Sequence, residues 1–173
     1  MNYLNGKTVY LCGAISYLQD SGVTWRQHIT PRLQKLGINV IDPCSKTVTE
    51  ANEVGKDKER FRELIKEEKW EELKKEFWPV VRYDLRSVDK SDFLILNYDA
   101  HSPTVGTWHE VVMASHIQKK PVLVKYDRSQ LKDFNPWVVV LIKTGHLFPD
   151  WDSLFSHLDN VNIKNFNTSY WTL

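Results

Sequence analysis

Short apolar runs alternate with amphipathic stretches along most of the chain. The apolar runs predict buried strands, at residues 7–14, 38–43, 93–97 and 120–126. The amphipathic stretches have helical spacing and predict helices, at residues 24–37, 79–92, 108–118 and 151–158. The run "VVVLI" within residues 135–145 fits either a strand or a buried helix. This alternation predicts an α/β fold with a mainly parallel sheet.

A charge-dense segment, residues 46–78, separates the second strand from the next predicted helix. Apolar residues recur within it at helical spacing, which predicts one or two amphipathic helices. Such helices form either a lid or oligomer contact, or a solvated surface whose apolar stripe packs on the core. With 173 residues in the chain, we expect a single domain, residues 1–173, in which this segment is an insertion.

Composition excludes several classes of protein. The formal net charge of +1 gives no broad basic surface, so a nucleic-acid partner is not expected. No apolar run has membrane-spanning length, and the first residues lack the features of a signal peptide, so we expect a cytoplasmic protein without a membrane partner. Cys12 and Cys44 form neither a disulfide framework nor a zinc site, and are expected to behave as small buried hydrophobes. We expect no metal and no cofactor.

Polar segments follow the predicted strands, where α/β sheets bind ligands. They are "CGAIS" (12–16), with Tyr10 close before it, "NYDAHSPTVGTWHE" (97–110) and "YDRSQLKDFNPW" (126–137). The chain contains neither a G-x-G-x-x-G fingerprint nor a P-loop, so the sequence supports neither a dinucleotide site nor a P-loop phosphate site.

Two carboxylates, Asp84 and Glu110, are candidates for chemistry, because glycosidic cleavage often uses such a pair. A glutamate in the first turn of a helix stays ionised near the positive end of the dipole, which suits a nucleophile. From spacing alone, "TWHE" favours a capping box, with Thr107 as N-cap and Glu110 as its partner. Asp84 equally fits a surface helical aspartate near Arg82 and Arg86.

Four segments together resemble the nucleoside 2-deoxyribosyltransferases and the related 5′-nucleotide N-glycoside hydrolases. They are, in the family's order, "VYLCGAIS", "YDLRSVDKSDFLIL", "GTWHEVVMA" and "KPVLV". The pairing of D-L-x-x-(V/I)-x-x-(S/N)-D with a G-(T/L)-x-x-E helix start is the more specific part, and Asp84 and Glu110 lie 26 residues apart, as in the transferases. The resemblance implies a flavodoxin-like, three-layer sandwich around a mainly parallel five-stranded sheet.

The resemblance also implies roles for individual residues. Glu110 would attack C1′ of a deoxyribosyl group and expel the base, and Asp84 would bind the base and manage its proton. Tyr10 matches a tyrosine that positions the nucleophile. Asn135 lies where the family has an asparagine that reaches the sugar from a neighbouring subunit. The residues expected to bind substrate are Gly13, Ala14, Ser16, Asp99, Thr104, Gly106 and Asn135.

One position departs from the nucleoside-specific pattern. Thr104 stands where the transferases have an aspartate for the sugar 5′-hydroxyl, whereas the hydrolases have a small hydroxyl residue there. Together with Ser16, Ser102 and Arg26, Thr104 could hold a monophosphate. The first loop nevertheless lacks the hydrolases' arginine, and Asp99 could serve the 5′-hydroxyl instead. Nucleosides and their 5′-monophosphates therefore both remain candidate substrates.

The resemblance implies cleavage of the N-glycosidic bond of 2′-deoxynucleosides and transfer of the sugar to a second free nucleobase. The alternatives are hydrolysis of nucleoside monophosphates, a nucleotide-binding module that has lost catalysis, and an NAD-cleaving hydrolase. The family assembles as homodimers or higher homo-oligomers, and the aromatic tail, residues 165–173, would suit an interface.

Overall fold

The computed structural model describes residues 2–15, 18–45, 55–102 and 104–163. Within these residues, five strands form one sheet: β1 (Thr8–Gly13), β2 (Asn39–Ile41), β3 (Phe93–Asn97), β4 (Val122–Lys125) and β5 (Leu147–Phe148). The α-helices of the same residues are α1 (Val23–Lys35), α2 (Gly55–Lys66), α3 (Trp70–Lys90), α4 (Val105–Val112), α5 (Pro136–Leu141) and α6 (Trp151–Ile163). A π-helical turn, Met113–Ile117, continues α4.

The strands lie in the order β2-β1-β3-β4-β5, and every neighbouring pair is parallel. This is the doubly wound order of flavodoxin-like folds, so the predicted α/β fold with a parallel five-stranded sheet is confirmed. The last residues of β1 and β3, Gly13 and Asn97, are register partners. The two central strands therefore end side by side at one edge of the sheet.

Successive residues of β1 face opposite sides of the sheet, because side chains alternate along a strand. Val9 and Leu11 pack in a core with residues of α1 and α6, including Ile29 and Leu154. The opposite core contains Tyr10 and Cys12 of β1, Val88 of α3, Val111 of α4 and Val138 of α5. Tyr10 and Cys12 thus share the face that α3, α4 and α5 cover.

The predicted helical insertion, residues 46–78, does not end at a break between elements, because residue 78 lies inside helix α3. Residues 46–54 lie outside the described residues. The remainder forms α2 and the first turns of α3, and α3 continues unbroken through Pro79 to Lys90. Phe61 of α2 and Phe77 of α3 make an edge-to-face contact with ring centroids 5.0 Å apart, while Trp70 and Trp78 remain exposed. The described part of the segment is a hairpin of α2 and the first turns of α3, and the later turns of α3 pack against the sheet.

The C-terminal part differs from the sequence expectation in one element. The ambiguous run at residues 135–145 is a helix, α5, and the fifth strand is instead the two-residue β5, which apolar patterning cannot reveal at that length. The aromatic tail, residues 165–173, lies outside the described residues. Among the described helices, none combines the length and hydrophobicity that spanning a bilayer requires.

A buried arginine fixes the connection from β1 to α1. The Arg26 guanidinium, fully buried, donates to the carbonyl oxygens of Leu11 (3.3 Å), Gly13 (3.1 Å) and Gly22 (2.9 Å). It also lies 3.5 Å from the carboxylate of Asp42, which follows β2. An ion buried in this way must have its donors satisfied, so Arg26 holds the end of β1 against α1 and β2.

Replacing Gly22 by alanine is expected to destabilise the protein far more than replacing Gly6. Both glycines have positive φ, 69° and 79°. An added Cβ at Gly22 would lie 2.5 Å from the carbonyl oxygen of Ala14 and 2.5 Å from Nη1 of Arg26, whereas at Gly6 it would meet no described atom within 4 Å. We expect a loss of about 1–2 kcal/mol for Gly6→Ala, the cost of left-handed backbone, and more than about 3 kcal/mol for Gly22→Ala.

Urea unfolding of the wild type and the two variants measures this difference, and Gly6→Ala serves as the matched control for backbone conformation. Equal losses of stability in the two variants would contradict the tight packing around Gly22.

Candidate active site

The candidate site lies where β1 and β3 end side by side. From β1 the chain enters α1 on one face of the sheet, and from β3 it enters α4 on the opposite face. Doubly wound sheets bind their ligands at such a reversal, in the crevice outside the carboxyl ends of the strands. Side chains from β1, α3 and α4 meet on the α4 side of this point.

A buried glutamate, Glu110, is the centre of this cluster. The phenolic hydroxyl of Tyr10 donates to Oε1 of Glu110 at 2.9 Å, and the thiol of Cys12 donates to Oε2 at 2.9 Å. Glu110 is 9% exposed, Tyr10 1% and Cys12 0%. Two neutral donors from one strand therefore hold the two oxygens of one buried carboxylate.

The alternative interpretation of Glu110, as the partner of Thr107 in a capping box, is wrong. Helix α4 begins at Val105, with Thr104 in the N-cap position, so Thr107 lies inside the first turn and Glu110 in the second. The Glu110 carboxylate accepts hydrogen bonds from two side chains of strand β1. The helix dipole acts chiefly within the first turn. Its interaction with Glu110 is therefore weaker than a position in the first turn would give.

Asp84 lies inside the protein, so its interpretation as a surface aspartate is wrong. It is on α3 and is 6% exposed. Its charge contributes to raising the pKa values of both Tyr10 and Cys12, which places it within electrostatic range of the cluster. The structure thus brings together Tyr10, Asp84 and Glu110, the three residues for which the family resemblance implied catalytic roles.

Burial, followed by the charge of Glu110, raises the pKa of Tyr10 well above its ordinary value. The same two causes raise the pKa of the Cys12 thiol, and the nearby Arg26 guanidinium opposes them. Both groups therefore keep their protons at neutral pH and remain hydrogen-bond donors. Both side chains therefore present a proton to an oxygen of Glu110.

The end of β1 is closely packed. A Cβ added at Gly13, where φ is 152°, would lie 3.1 Å from the carbonyl oxygen of Asn97 and 3.3 Å from the Trp25 ring. Ala14, the next predicted binding residue, is buried. Ser16 lies outside the described residues. The backbone at Gly13 is therefore positioned by its contacts with β3 and α1.

Asp99 organises the loop between β3 and α4. Its carboxylate accepts hydrogen bonds from the backbone N–H of His101, the hydroxyl of Ser102 and the amide of Gln130. Partial burial works against ionisation, yet these hydrogen bonds together lower the pKa of Asp99. The carboxylate is thus engaged by the loop itself, and Ser102 is turned towards it.

The start of α4 is open. Within the described residues, the Thr104 side chain makes no cap hydrogen bond to its helix. Gly106 in the first turn is exposed, and an added Cβ would meet no described atom within 4 Å. The first N–H groups of a helix attract anions, so this end can receive an anionic or hydroxylated ligand.

Asn135 is used within its own chain as a helix cap. Its side-chain oxygen accepts from the backbone N–H of Trp137 at 3.0 Å, and its backbone N–H donates to the hydroxyl of Tyr98 at 3.1 Å. The residue is exposed at the start of α5. Its side chain therefore lies at the protein surface, where it caps α5.

Sequence reasoning missed the role of Cys12, which was expected to act as a small hydrophobe. The available signal was its spacing, because residues 10 and 12 of one strand face the same side. Arg26 was expected near a phosphate, but its guanidinium is directed inward to backbone carbonyls. Arg26 therefore supports the backbone at the end of β1.

A separate hollow of about 440 Å³ lies beside β2, lined by residues that include Gln27, Gln34, Asp42 and Tyr83. None of the side chains that hold Glu110 lines it.

No protein-family model matches the sequence, and comparison with curated proteins finds no match. Among solved structures, the chain is similar to a conserved protein from Enterococcus faecalis V583. The two share 15% sequence identity with a TM-score of 0.61, over 90% of this chain and 98% of the other. At that identity the likeness shows the fold alone, and the fold agrees with the sheet described above.

The Cys12 thiol is expected to contribute to the free energy of unfolding by an amount that falls at alkaline pH. Replacing Cys12 by serine should remove this contribution. The pKa of Cys12 is raised in the folded protein, so the unfolded chain loses the thiol proton first. The stability from this group is complete below the ordinary thiol pKa of 9.0. Above it, this stability is lost at about 1.4 kcal/mol per pH unit until the folded thiol also ionises.

Urea unfolding of the wild type and Cys12→Ser from about pH 7 to about pH 10 measures the difference in stability at each pH. Cys44→Ser is the matched control, because it makes the same chemical change outside the cluster. A difference between wild type and Cys12→Ser that stays constant over this range would contradict the assigned environment of the thiol.

Proposed function

We propose that the protein cleaves the N-glycosidic bond of 2′-deoxynucleosides and transfers the deoxyribosyl group to another nucleobase. The observation that carries the proposal is the buried Glu110 carboxylate, bonded through both oxygens at the carboxyl edge of the central strands. The sequence resemblance gives the substrate class, and the cluster of Tyr10, Asp84 and Glu110 supplies groups suited to that chemistry.

In the proposed reaction, an oxygen of Glu110 attacks C1′ as the bond from C1′ to the base nitrogen breaks. The base leaves with the bonding electron pair and takes up a proton, and the sugar remains as an ester of Glu110. A nitrogen of a second base then attacks C1′, releases the Glu110 carboxylate and gives up its own proton. Splitting the exchange into two displacements is the usual advantage of a carboxylate nucleophile.

The proposal gives each carboxylate a different task. Glu110 receives two donated hydrogen bonds, which suits an ionised nucleophile. Asp84, on a different helix, binds the base and manages the proton that the leaving nitrogen needs. Both residues are buried, so their interactions with a bound substrate act in a medium where electrostatic effects are stronger than in water.

A second candidate, hydrolysis of nucleoside 5′-monophosphates, is favoured by the start of α4. Thr104 and the exposed Gly106 give this end no carboxylate that would repel a phosphate, and its first N–H groups can bind one. Asp99, the alternative partner for a 5′-hydroxyl, is already engaged by Ser102, His101 and Gln130.

The proposal includes assembly as a homo-oligomer in which Asn135 approaches the sugar bound by another subunit. In support, helix α5 exposes Trp137 and Val140, which are 69% and 76% accessible. Large apolar side chains around a polar residue are typical of an interface. A monomeric mass by light scattering would contradict this part of the proposal.

Glu110→Gln is expected to abolish base exchange while leaving the fold intact, because the amide cannot act as the nucleophile. We expect a rate reduced by about a thousandfold or more, the usual scale for loss of such a group. The assay incubates each 2′-deoxynucleoside and each 5′-monophosphate with and without a second free base, followed by liquid chromatography. Glu71→Gln, an exposed glutamate of α3, is the matched control.

A new nucleoside that forms only with the second base supports transfer, and free base from monophosphates alone supports the hydrolase instead. Base released from NAD but not from deoxynucleosides would favour an NAD-cleaving enzyme. Tight nucleotide binding without base release would favour a binding module. Equal rates for Glu110→Gln and wild type would refute Glu110 as the nucleophile.

Thr104→Asp is expected to separate the two candidate substrates. A carboxylate at this position repels a 5′-phosphate at short range, so turnover of monophosphates should fall by about a hundredfold or more. Turnover of uncharged nucleosides should stay within a few-fold of wild type. Measurements of kcat/KM on a nucleoside and its monophosphate test this, with Thr104→Val as the control for loss of the hydroxyl.

If Thr104→Asp slows monophosphate turnover no more than Thr104→Val does, a phosphate does not bind at the start of α4.

A further inference from the structure

Two side chains of one strand hold the two oxygens of one carboxylate. Tyr10 donates to Oε1 of Glu110, and Cys12, two residues further along β1, donates to Oε2. Cys12 is fully buried, and its Sγ also lies 3.7 Å from the carbonyl oxygen of Thr107, one turn before Glu110 on α4. The thiol thus contacts α4 at two acceptors.

We propose that Cys12 is a positioning residue for the nucleophile Glu110. Its thiol fixes the Oε2 side of the carboxylate, while Tyr10 fixes the Oε1 side. This inference rests on the proposed function, in which Glu110 attacks C1′ of the sugar. Cys12 does not contact the reacting carbon and acts only through Glu110.

The physical reason lies in the freedom of a carboxylate. A single donor holds one oxygen but still allows the carboxylate to rotate about the Cγ–Cδ bond of the glutamate. A second donor on the other oxygen fixes the carboxylate plane, and with it the direction from which a lone pair approaches C1′. Alignment of this kind contributes strongly to the rate of an enzyme-bound displacement.

A thiol suits this position because it is a weak hydrogen-bond donor. It orients Oε2 while drawing less electron density from the carboxylate than a hydroxyl would. When the ester forms, the carboxylate loses its charge and accepts hydrogen bonds more weakly. The Thr107 carbonyl then offers the thiol a second acceptor on the same helix, so the buried donor keeps a partner.

Three substitutions separate hydrogen bonding from packing. Cys12→Ala removes the donor and leaves a small cavity, Cys12→Ser keeps a donor in a side chain of similar size, and Cys12→Val fills the space without a donor. Steady-state base exchange is measured for each, as kcat, KM and the pH profile of kcat/KM.

We expect Cys12→Ala to lower kcat by about tenfold, the scale of one hydrogen bond to a charged group, with KM within about twofold. Its acid limb should move to higher pH, because one donor that favours the ionised carboxylate is lost. Cys12→Ser should recover most of the rate, and Cys12→Val should resemble Cys12→Ala. Recovery in Cys12→Val but not in Cys12→Ser would show that packing alone matters and would overturn the inference.

A second measurement tests the Cys12–Glu110 pairing without substrate. In a Cys44→Ser background, the infrared S–H stretch reports Cys12 alone. We expect this band at lower frequency than that of a thiol with no hydrogen bond, and a shift upward in Glu110→Gln, because an amide oxygen is a weaker acceptor than a carboxylate. A band at the unbonded frequency, or one unaffected by Glu110→Gln, would overturn the inference whatever the activity.

Failure of the proposed function and failure of the role of Cys12 give different experimental results. A wild-type protein without turnover of any tested substrate would overturn the proposed function and the positioning role of Cys12 with it. An active wild type together with a fully active Cys12→Ala variant would overturn the role of Cys12 alone.

Discussion

The buried guanidinium of Arg26 is the interaction on which the geometry of the site depends. A charge without solvent is tolerated only where its donors find acceptors, and here they find the carbonyls of Leu11, Gly13 and Gly22. Two of these carbonyls belong to β1, in alternation with the side chains of Tyr10 and Cys12. Fixing that backbone therefore fixes the two donors that hold Glu110.

The cluster around Glu110 combines groups whose protonation states support one another. A phenol and a thiol that are buried beside negative charge keep their protons, and in keeping them they stabilise the charge. The positive charge of Arg26 moderates this effect at Cys12. In a more exposed arrangement, solvent would screen these electrostatic interactions and weaken each of them. The reactivity proposed for Glu110 therefore depends on the burial of its carboxylate against β1.

The sequence predicted the sheet better than it predicted the start of α4. Four of the described strands follow from apolar runs, whereas β5 has two residues and leaves no periodic signal. The spacing of Thr107 and Glu110 matched a capping box, yet the helix begins at Val105. The Glu110 carboxylate instead accepts a hydrogen bond from Tyr10 of β1, a tertiary contact that local spacing does not reveal. Asp84 was ambiguous for the same reason, since local charge pattern does not reveal which face of a long helix packs inward.

The fold and the site place different demands on the sequence. The sheet requires alternating apolar residues, which many sequences satisfy, and a protein with 15% identity accordingly has a similar fold. The site requires particular atoms from three elements: a hydroxyl and a thiol on β1, a carboxylate on α3 and another on α4. A similar fold at this level of identity does not show a similar function. The proposal of glycosyl transfer therefore depends on the cluster of side chains from β1, α3 and α4, together with the residues that resemble the transferases. The strand β1 joins the two demands, since its one face packs against α1 and α6 while its other face holds the proposed nucleophile.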